Sequence, residues 1–143
     1  MRERIFERPL PRMTLDAMPY WEGARDHKLL YQICDGCGSV VFHPRCACPY
    51  CLSDSLRWAQ SQGRGKVYSC SVIYRPPYEA WAAKVPYAVG IVELDEGFYM
   101  FTEIIHPQPE QIRIGMPVEV VFEKVTDEVT LPKFVSGARG QGV

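Results

Sequence analysis

The second half of the chain, from residue 66 onward, alternates hydrophobic and polar positions with the two-residue period of β-strands. Five segments show this pattern or a short run of β-branched and aromatic residues: residues 66–74, 87–95, 98–105, 117–125 and 131–135. A tight turn at Asp95, Glu96 and Gly97 joins the second segment to the third. Five short strands favour a small closed or nearly closed barrel of the OB type over a two-sheet sandwich, which usually needs about seven.

The first half predicts shorter elements. Residues 19–27 permit about two helical turns, because Pro19 suits the first helical position. Residues 28–34 alternate as a strand, and residues 40–43 form a second, shorter one. Residues 52–65 lose their hydrophobic periodicity and end in a Gly-Arg-Gly turn, so we interpret them as the boundary before the barrel.

Two Cys-x-x-Cys pairs follow these two short strands. Cys34 and Cys37 form the first pair, and Cys48 and Cys51 form the second, with ten residues between the pairs. This spacing is typical of a zinc ribbon, in which four thiolates surround one ion. A complete thiolate set leaves no position for water or substrate, so the predicted zinc is structural. Cys46 is expected to be a non-ligand, because Cys-x-Cys cannot form the turn that aims both sulfurs at one ion.

The 143-residue chain could form one domain or two small lobes, and its pattern favours two lobes. The first lobe is too small to bury an adequate core, which is why we expect a metal to hold it. The expected fold class is mainly β. The expected parts are an extended N-terminal arm (1–18), a helix with the zinc ribbon (19–62), a five-stranded OB barrel (63–135) and a flexible tail (136–143).

A long insertion, residues 75–86, separates the first two barrel strands. Loops of this length in compact domains are usually functional or disordered. Tyr78 and Trp81 give the loop aromatic anchors of the kind found in binding surfaces. The alternative is that the loop folds back and Trp81 plugs the mouth of the barrel, and the sequence leaves both possibilities open.

Composition narrows the class of protein. Hydrophobic residues make up 47% and charged residues 23% of the chain, as in globular proteins. No apolar run approaches the ~20 residues of a membrane helix. The N-terminal residues lack the continuous apolar core of a secretory signal. We therefore expect a cytoplasmic protein with reduced thiols and no membrane partner.

Charge and histidine content argue against two further classes. The chain has 16 basic and 17 acidic residues and no strongly basic segment, which argues against a nucleic-acid partner. Its three histidines, His27, His43 and His106, form no Cys/His or Ser/His/Asp motif, and no glycine-rich loop opens a helix. The sequence therefore predicts no catalytic residues.

Six segments together resemble a known family, the acyl-CoA-associated proteins that join a rubredoxin-like zinc ribbon to an OB-fold domain. They read YWEGARDHKLLYQICDGCG, HPRCACPYC, GRGKVYSCSVIY, PYAVGIVELDEG, IRIGMPVEVVFE and LPKF. The resemblance covers nearly all of the chain after its first 13 residues. It implies zinc on Cys34, Cys37, Cys48 and Cys51, with Cys46 outside the ligand set.

The resemblance also implies a function. Such proteins are non-catalytic subunits in complexes with thiolases, related condensing or acyl-transfer enzymes, or hydratases of the hot-dog fold. The partner supplies the nucleophile, while the zinc and OB subunit helps to form or cover its acyl-CoA site. Coenzyme A carries phosphates and a stackable adenine, so basic and aromatic residues near the insertion are expected to contact the partner or its acyl-CoA. These residues are Arg64, Lys66, Arg75, Tyr78, Trp81 and Lys84.

Two other functions stay open at this point. OB barrels and zinc ribbons also occur in nucleic-acid-binding proteins, although the charge balance argues against that function. A rubredoxin-like four-cysteine site can also hold iron and carry electrons. Leu52 follows Cys51 where rubredoxins have glycine, which argues against an electron carrier.

Overall fold

This computed structural model describes residues 9–136 of the chain. They contain one α-helix and eight strands. In chain order they are α1 (Met18–Arg25), β1 (Leu30–Cys34), β2 (Val40–Val41), β3 (Leu56–Gln60), β4 (Arg64–Ile73), β5 (Tyr87–Leu94), β6 (Tyr99–Ile105), β7 (Pro117–Lys124) and β8 (Thr130–Ser136). Single 3-10 turns occur at Leu15–Ala17, Glu79–Trp81 and Pro109–Gln111. The predicted tail begins at the last residue of β8, and its remainder lies outside the described residues.

Helix α1 begins one residue before the predicted start and ends two residues before the predicted end. It is preceded by the turn at Leu15–Ala17, within the stretch expected to be an extended arm. The helix buries Tyr20, Gly23 and Ala24 against the rest of the molecule. A Cβ atom at Gly23 would lie 2.7 Å from Cδ1 of Leu30, so a larger residue there would require the Leu30 side chain to shift. None of the helices between residues 9 and 136 has the length and apolar character needed to cross a bilayer.

The first sheet has three antiparallel strands in the order β2-β1-β3. Strand β3 pairs with β1 from Gln60 opposite Leu30 to Leu56 opposite Cys34. The sequence interpretation missed this strand, because its partly exposed residues carry no alternation that separates it from a loop. Strand β3 makes the ribbon a sheet that leads directly into the barrel.

The remaining strands form a closed barrel in the order β4-β5-β6-β8-β7, completed by pairing between β4 and β7. All pairs are antiparallel except β6 with β8. A bulge between Val67 and Ser69 bends β4. Opposite the bend, a Cβ atom on Gly90 would lie 2.2 Å from the carbonyl oxygen of Ser69. The predicted mainly β fold with a ribbon and a five-stranded barrel is confirmed.

The larger of two hydrophobic clusters spans the ribbon and the barrel. Tyr20 of α1 and Tyr31 of β1 belong to the same buried cluster as the barrel residues. Phe42 stacks on Phe98 of the barrel at 4.9 Å between ring centroids and 5° between planes. Tyr31 also packs against Phe98, with ring centroids 5.0 Å apart. The boundary expected at residues 62 and 63 is therefore crossed by continuous packing.

Glu96 strengthens the same junction from the hairpin between β5 and β6. Its carboxylate accepts a hydrogen bond of 2.6 Å from the hydroxyl of Ser61 and one of 2.9 Å from the backbone N–H of Gln62. The Ser61 hydroxyl in turn accepts from the N–H of Gly63. The sequence placed Glu96 only in a tight turn, whereas in the structure its carboxylate fixes the connecting segment to the barrel.

Candidate functional site

The four cysteines of the two Cys-x-x-Cys pairs converge at the end of the ribbon. Their Sγ atoms all lie within 4.8 Å of one another. Sγ of Cys34 is 3.6 Å from Sγ of Cys51, and Sγ of Cys37 is 3.7 Å from Sγ of Cys48. A tetrahedral zinc with bonds of about 2.3 Å separates its sulfurs by about 3.8 Å. The donor set and spacing therefore fit a structural zinc ion.

Two matching turns aim these sulfurs. The N–H of Gly38 donates to the carbonyl of Cys34 at 2.7 Å, and the N–H of Leu52 donates to that of Cys48 at 2.9 Å. In both turns this donor residue has a left-handed backbone, with φ of 76° at Gly38 and 65° at Leu52. Leu52 therefore takes the conformation that glycine would favour. Leu52, the residue that was weighed against an electron carrier, therefore forms the same turn as Gly38.

The surroundings of Cys37 and Cys51 shift the pKa values of their thiols in opposite directions. Hydrogen bonds with Ser39, whose hydroxyl is 3.1 Å from Sγ, lower the pKa of Cys37 to about 6. The backbone of Ser53 acts to lower the pKa of Cys51, but contacts with the neighbouring thiols and burial outweigh it and raise that pKa to about 12. A divalent cation at the centre would stabilise all four groups as thiolates.

Cys46 is exposed and lies outside the group of four sulfurs. The chain between the knuckles is held instead by Gln32 of β1. The Gln32 side chain accepts from the backbone N–H of Arg45 at 2.9 Å and donates to its carbonyl at 3.1 Å. This paired contact positions the stretch that carries Cys46 away from the metal centre.

The insertion, residues 75–86, lies against the outer wall of the barrel. Trp81 contacts Tyr78 within the loop, with ring centroids 5.6 Å apart, and it lies outside the buried core cluster. It lines a cleft of about 320 Å³. The other lining residues come from the loop and from β5, β6 and β8: Pro77, Lys84, Tyr87, Val89, Phe101, Thr102, Glu103, Leu131, Pro132 and Lys133. Trp81 thus lies beside β5, β6 and β8 and outside the buried core cluster.

Charged groups at the base of the cleft form a connected network. Lys84 of the loop contacts Glu103 of β6, which also lies 3.2 Å from Nζ of Lys133 on β8. Lys133 in turn contacts Glu123 of β7. The side chain of Lys133 is only 6% exposed and that of Glu103 is 12% exposed. This network ties the loop to three strands, and the sequence pattern gave no signal of it.

The structure separates the six residues expected to contact the partner or acyl-CoA. Tyr78, Trp81 and Lys84 lie together in the loop beside the cleft, and Arg75 begins the same loop. Arg64 and Lys66 lie at the other end of β4, which ends at Ile73. At about 3.3 Å per residue, the distance along the strand from Lys66 to Ile73 is roughly 20 Å. The six residues therefore do not form one basic cluster.

An aromatic surface outside the core was not anticipated from the sequence. Phe101 points outward from β6 and is 72% exposed, opposite Ile91 of β5. Tyr68 of β4 and Tyr99 of β6, the two strands that flank β5, make an edge contact with ring centroids 5.0 Å apart. The alternation along β6 could have predicted this surface, because Tyr99 and Phe101 alternate with the buried residues of the strand. Tyr74 and Tyr78 add further exposed rings near the loop.

Together, the four-cysteine ribbon and the closed barrel define a protein of the zinc-ribbon and OB-fold class. Two family models divide the chain between residues 57 and 58, within β3. The model described as "ChsH2, rubredoxin-like zinc ribbon domain" matches residues 21–57, and "ChsH2, C-terminal OB-fold domain" matches residues 58–123.

The chain belongs to this ChsH2/DUF35 family. It is 41% identical over 96 residues to a "DUF35 domain-containing scaffold protein" of Methanothermobacter thermautotrophicus, covering 66% of this chain and 71% of that protein. It is 35% identical over 127 residues to a "Probable enoyl-CoA hydratase alpha subunit" of Thermomonospora curvata. That match covers 89% of this chain but only 39% of the relative's length. The resemblance drawn from the sequence is confirmed.

The chain is also similar to a solved structure whose title includes ChsH2. The match is to a chain of the "Ltp2-ChsH2(DUF35) aldolase", with a TM-score of 0.81 and 33% identity. It covers 90% of this chain and 100% of that chain. The names of these proteins connect the family with hydratase-type and aldolase-type enzymes.

Proposed function

We propose that this chain is a non-catalytic, zinc-containing accessory subunit that docks on an acyl-CoA enzyme, either thiolase-like or a hot-dog hydratase. In the assembly it helps to form or cover the acyl-CoA site of that partner, in the cytoplasm. The observation that carries the proposal is the exposed aromatic surface around Phe101, Tyr99 and Tyr68, together with the loop of Tyr78 and Trp81. Exposed apolar patches of this kind mark interaction sites.

The names of the relatives support the same function. One is called a scaffold protein, one a hydratase alpha subunit, and one structure is an aldolase containing a ChsH2 chain. These names apply to those proteins. They support a partner enzyme for this chain because the match extends over both the ribbon and the barrel.

In this proposal, Cys34, Cys37, Cys48 and Cys51 hold one zinc ion, which supplies folding free energy to the ribbon and no chemistry. The ribbon then fixes Phe42 against Phe98 of the barrel. The metal thereby maintains the orientation of the two parts that together meet the partner.

The proposal is tested by expressing the tagged chain with the acyl-CoA enzymes encoded beside it. We expect one of them to form a stoichiometric complex, seen by light scattering, and acyl-CoA turnover to need that complex. Phe101→Ser should weaken the complex, and Ile114→Ser, at an equally exposed residue away from the cleft, is the matched control. Turnover by the purified chain alone would contradict the proposal, as would equal effects of the two substitutions.

A further inference from the structure

The cleft beside the insertion has the properties of a small-molecule site. Its volume of about 320 Å³ falls at the lower end of the range for ligand pockets, roughly 300 to 1,000 Å³. Trp81 and Pro77 form the loop wall, and Val89, Phe101 and Leu131 form the barrel wall. The cleft is thus mainly apolar, with its charged groups confined to one end.

The charges at that end compensate one another. Two ammonium groups, Lys84 and Lys133, face two carboxylates, Glu103 and Glu123, in one chain of ion pairs. Lys84 lines the cleft and its side chain is 33% exposed, but its charge is already paired with Glu103. A phosphate brought here would leave negative charge uncompensated in a partly desolvated site, which is costly. The cleft therefore disfavours a strongly anionic group.

The titration of the two lysines agrees with this arrangement. Burial lowers the pKa of Lys84, although its ion pair with Glu103 acts in the opposite direction. Burial also acts against the charge on Lys133, but its carboxylate partners outweigh that effect and the pKa of Lys133 is raised. Both lysines therefore depend on the network for their charge, and neither is a free cation for a phosphate.

We propose that this cleft binds the uncharged acyl portion of an acyl thioester, leaving the phosphates of coenzyme A outside. The acyl chain lies between Trp81 and Phe101. Lys84 has N–H donors beyond the one directed at Glu103, and one of them donates to the thioester carbonyl. The identity of the ligand as a thioester rests on the proposed function, whereas the preference for a neutral apolar ligand rests on the cleft alone.

The inference is tested on the full zinc-loaded chain by calorimetry with three probes. These are S-octanoyl-N-acetylcysteamine, which is a neutral thioester, octanoate, and coenzyme A without an acyl group. We expect the neutral thioester to bind about tenfold or more tightly than octanoate, because the carboxylate adds an unpaired charge. Free coenzyme A should show no binding that depends on the cleft. Equal or tighter binding of octanoate or coenzyme A in the cleft would overturn the proposal.

Substitutions locate the binding. Val89→Trp should fill the cleft from the outer face of β5 and reduce thioester affinity at least tenfold, while Ile114→Trp, on a residue outside the lining, should leave it unchanged. Leu131→Trp fills the cleft from β8 and serves if the first variant does not fold. Thioester binding that survives in a folded cleft-filling variant would contradict the assignment.

The charge argument has its own test. Glu103→Gln should leave Lys84 unpaired, so octanoate affinity should rise several-fold while the neutral thioester changes little. No gain for octanoate would show that the network does not set the preference. A chain that binds the thioester in the cleft yet forms no enzyme complex would refute the subunit proposal alone. A complex that forms without such binding would refute the cleft proposal alone.

Discussion

At the metal centre the four cysteines follow a regular spacing, but Leu52 beside them has a backbone conformation that a leucine side chain disfavours. Leu52 has a φ of 65°, in the left-handed region that costs a non-glycine residue roughly 1 to 2 kcal/mol. Its side chain is 81% exposed, so little packing offsets that cost. The backbone of the turn is evidently fixed by the two cysteines and not by the residue that follows them.

Leu52→Gly is therefore expected to stabilise the zinc-loaded protein, by about 0.5 to 1 kcal/mol after the extra chain entropy of glycine is subtracted. Gly38→Ala, at the corresponding position of the first turn, should destabilise it by about 1 kcal/mol. Urea denaturation of both variants measures the difference. A destabilised Leu52→Gly would mean that the leucine side chain makes contacts that matter.

The ligand assignment gives a second prediction at this scale. Cys46→Ser should retain one zinc per chain, because Cys46 lies outside the group of sulfurs. Cys48→Ser should lose zinc or bind it far more weakly, because Cys48 is buried within that group. Elemental analysis of the purified variants, with a chromogenic chelator titration, checks both. Zinc lost from Cys46→Ser but kept by Cys48→Ser would invert the assignment.

At the scale of elements, the insertion behaves as a surface structure tied to the barrel. Trp81→Ala should leave the thermal midpoint nearly unchanged, because Trp81 lies outside the core cluster. It should weaken binding of the partner enzyme by about 2 kcal/mol, as expected for an aromatic interface anchor. Differential scanning calorimetry and partner titration on the same variant test this. A loss of about 3 to 5 kcal/mol in fold stability would instead identify a core residue.

Alternation, short β-branched or aromatic runs and turn chemistry were sufficient to predict the five barrel strands, and the alternation is clearest in β5 and β6, where every second residue is buried. The metal centre could also be predicted, since the knuckles are local in sequence. Strand β3 could not, because its pairing with β1 is a tertiary contact without its own pattern. The ion-pair network joins residues as far apart as Lys84 and Lys133, and no local rule brings those together.

At the scale of the whole molecule, the ribbon and the barrel share one hydrophobic cluster, but the cysteine end of the ribbon has a second cluster of its own. Residues near the cysteines form a small separate cluster of Cys34, Val41 and Cys48, with Leu56 against it. Tyr31, by contrast, belongs to the core that includes the barrel. Removal of zinc should therefore act first on the knuckles and then, through Phe42, on the barrel.

Chelation is expected to raise hydrogen exchange strongly across residues 34–56 and moderately near Phe98, while β7 and β8 stay protected. The reason is that Phe98 loses the stacked ring of Phe42, whereas β7 and β8 keep their full pairing. The barrel should then melt at a lower temperature than in the zinc-loaded protein. Restored protection on adding zinc is the control. An unchanged barrel midpoint would show that the shared core contributes little.

The continuous core also limits how such chains can be recombined. A ribbon exchanged with that of a relative would bring its own residue to the position of Phe42, facing a barrel adapted to this one at Phe98. The hairpin carboxylate of Glu96 would likewise meet a foreign connecting segment in place of Ser61 and Gln62. Chimeras joined after residue 62 should thus fold well only when the hairpin is transferred with the ribbon, so the unit of exchange is larger than either named domain.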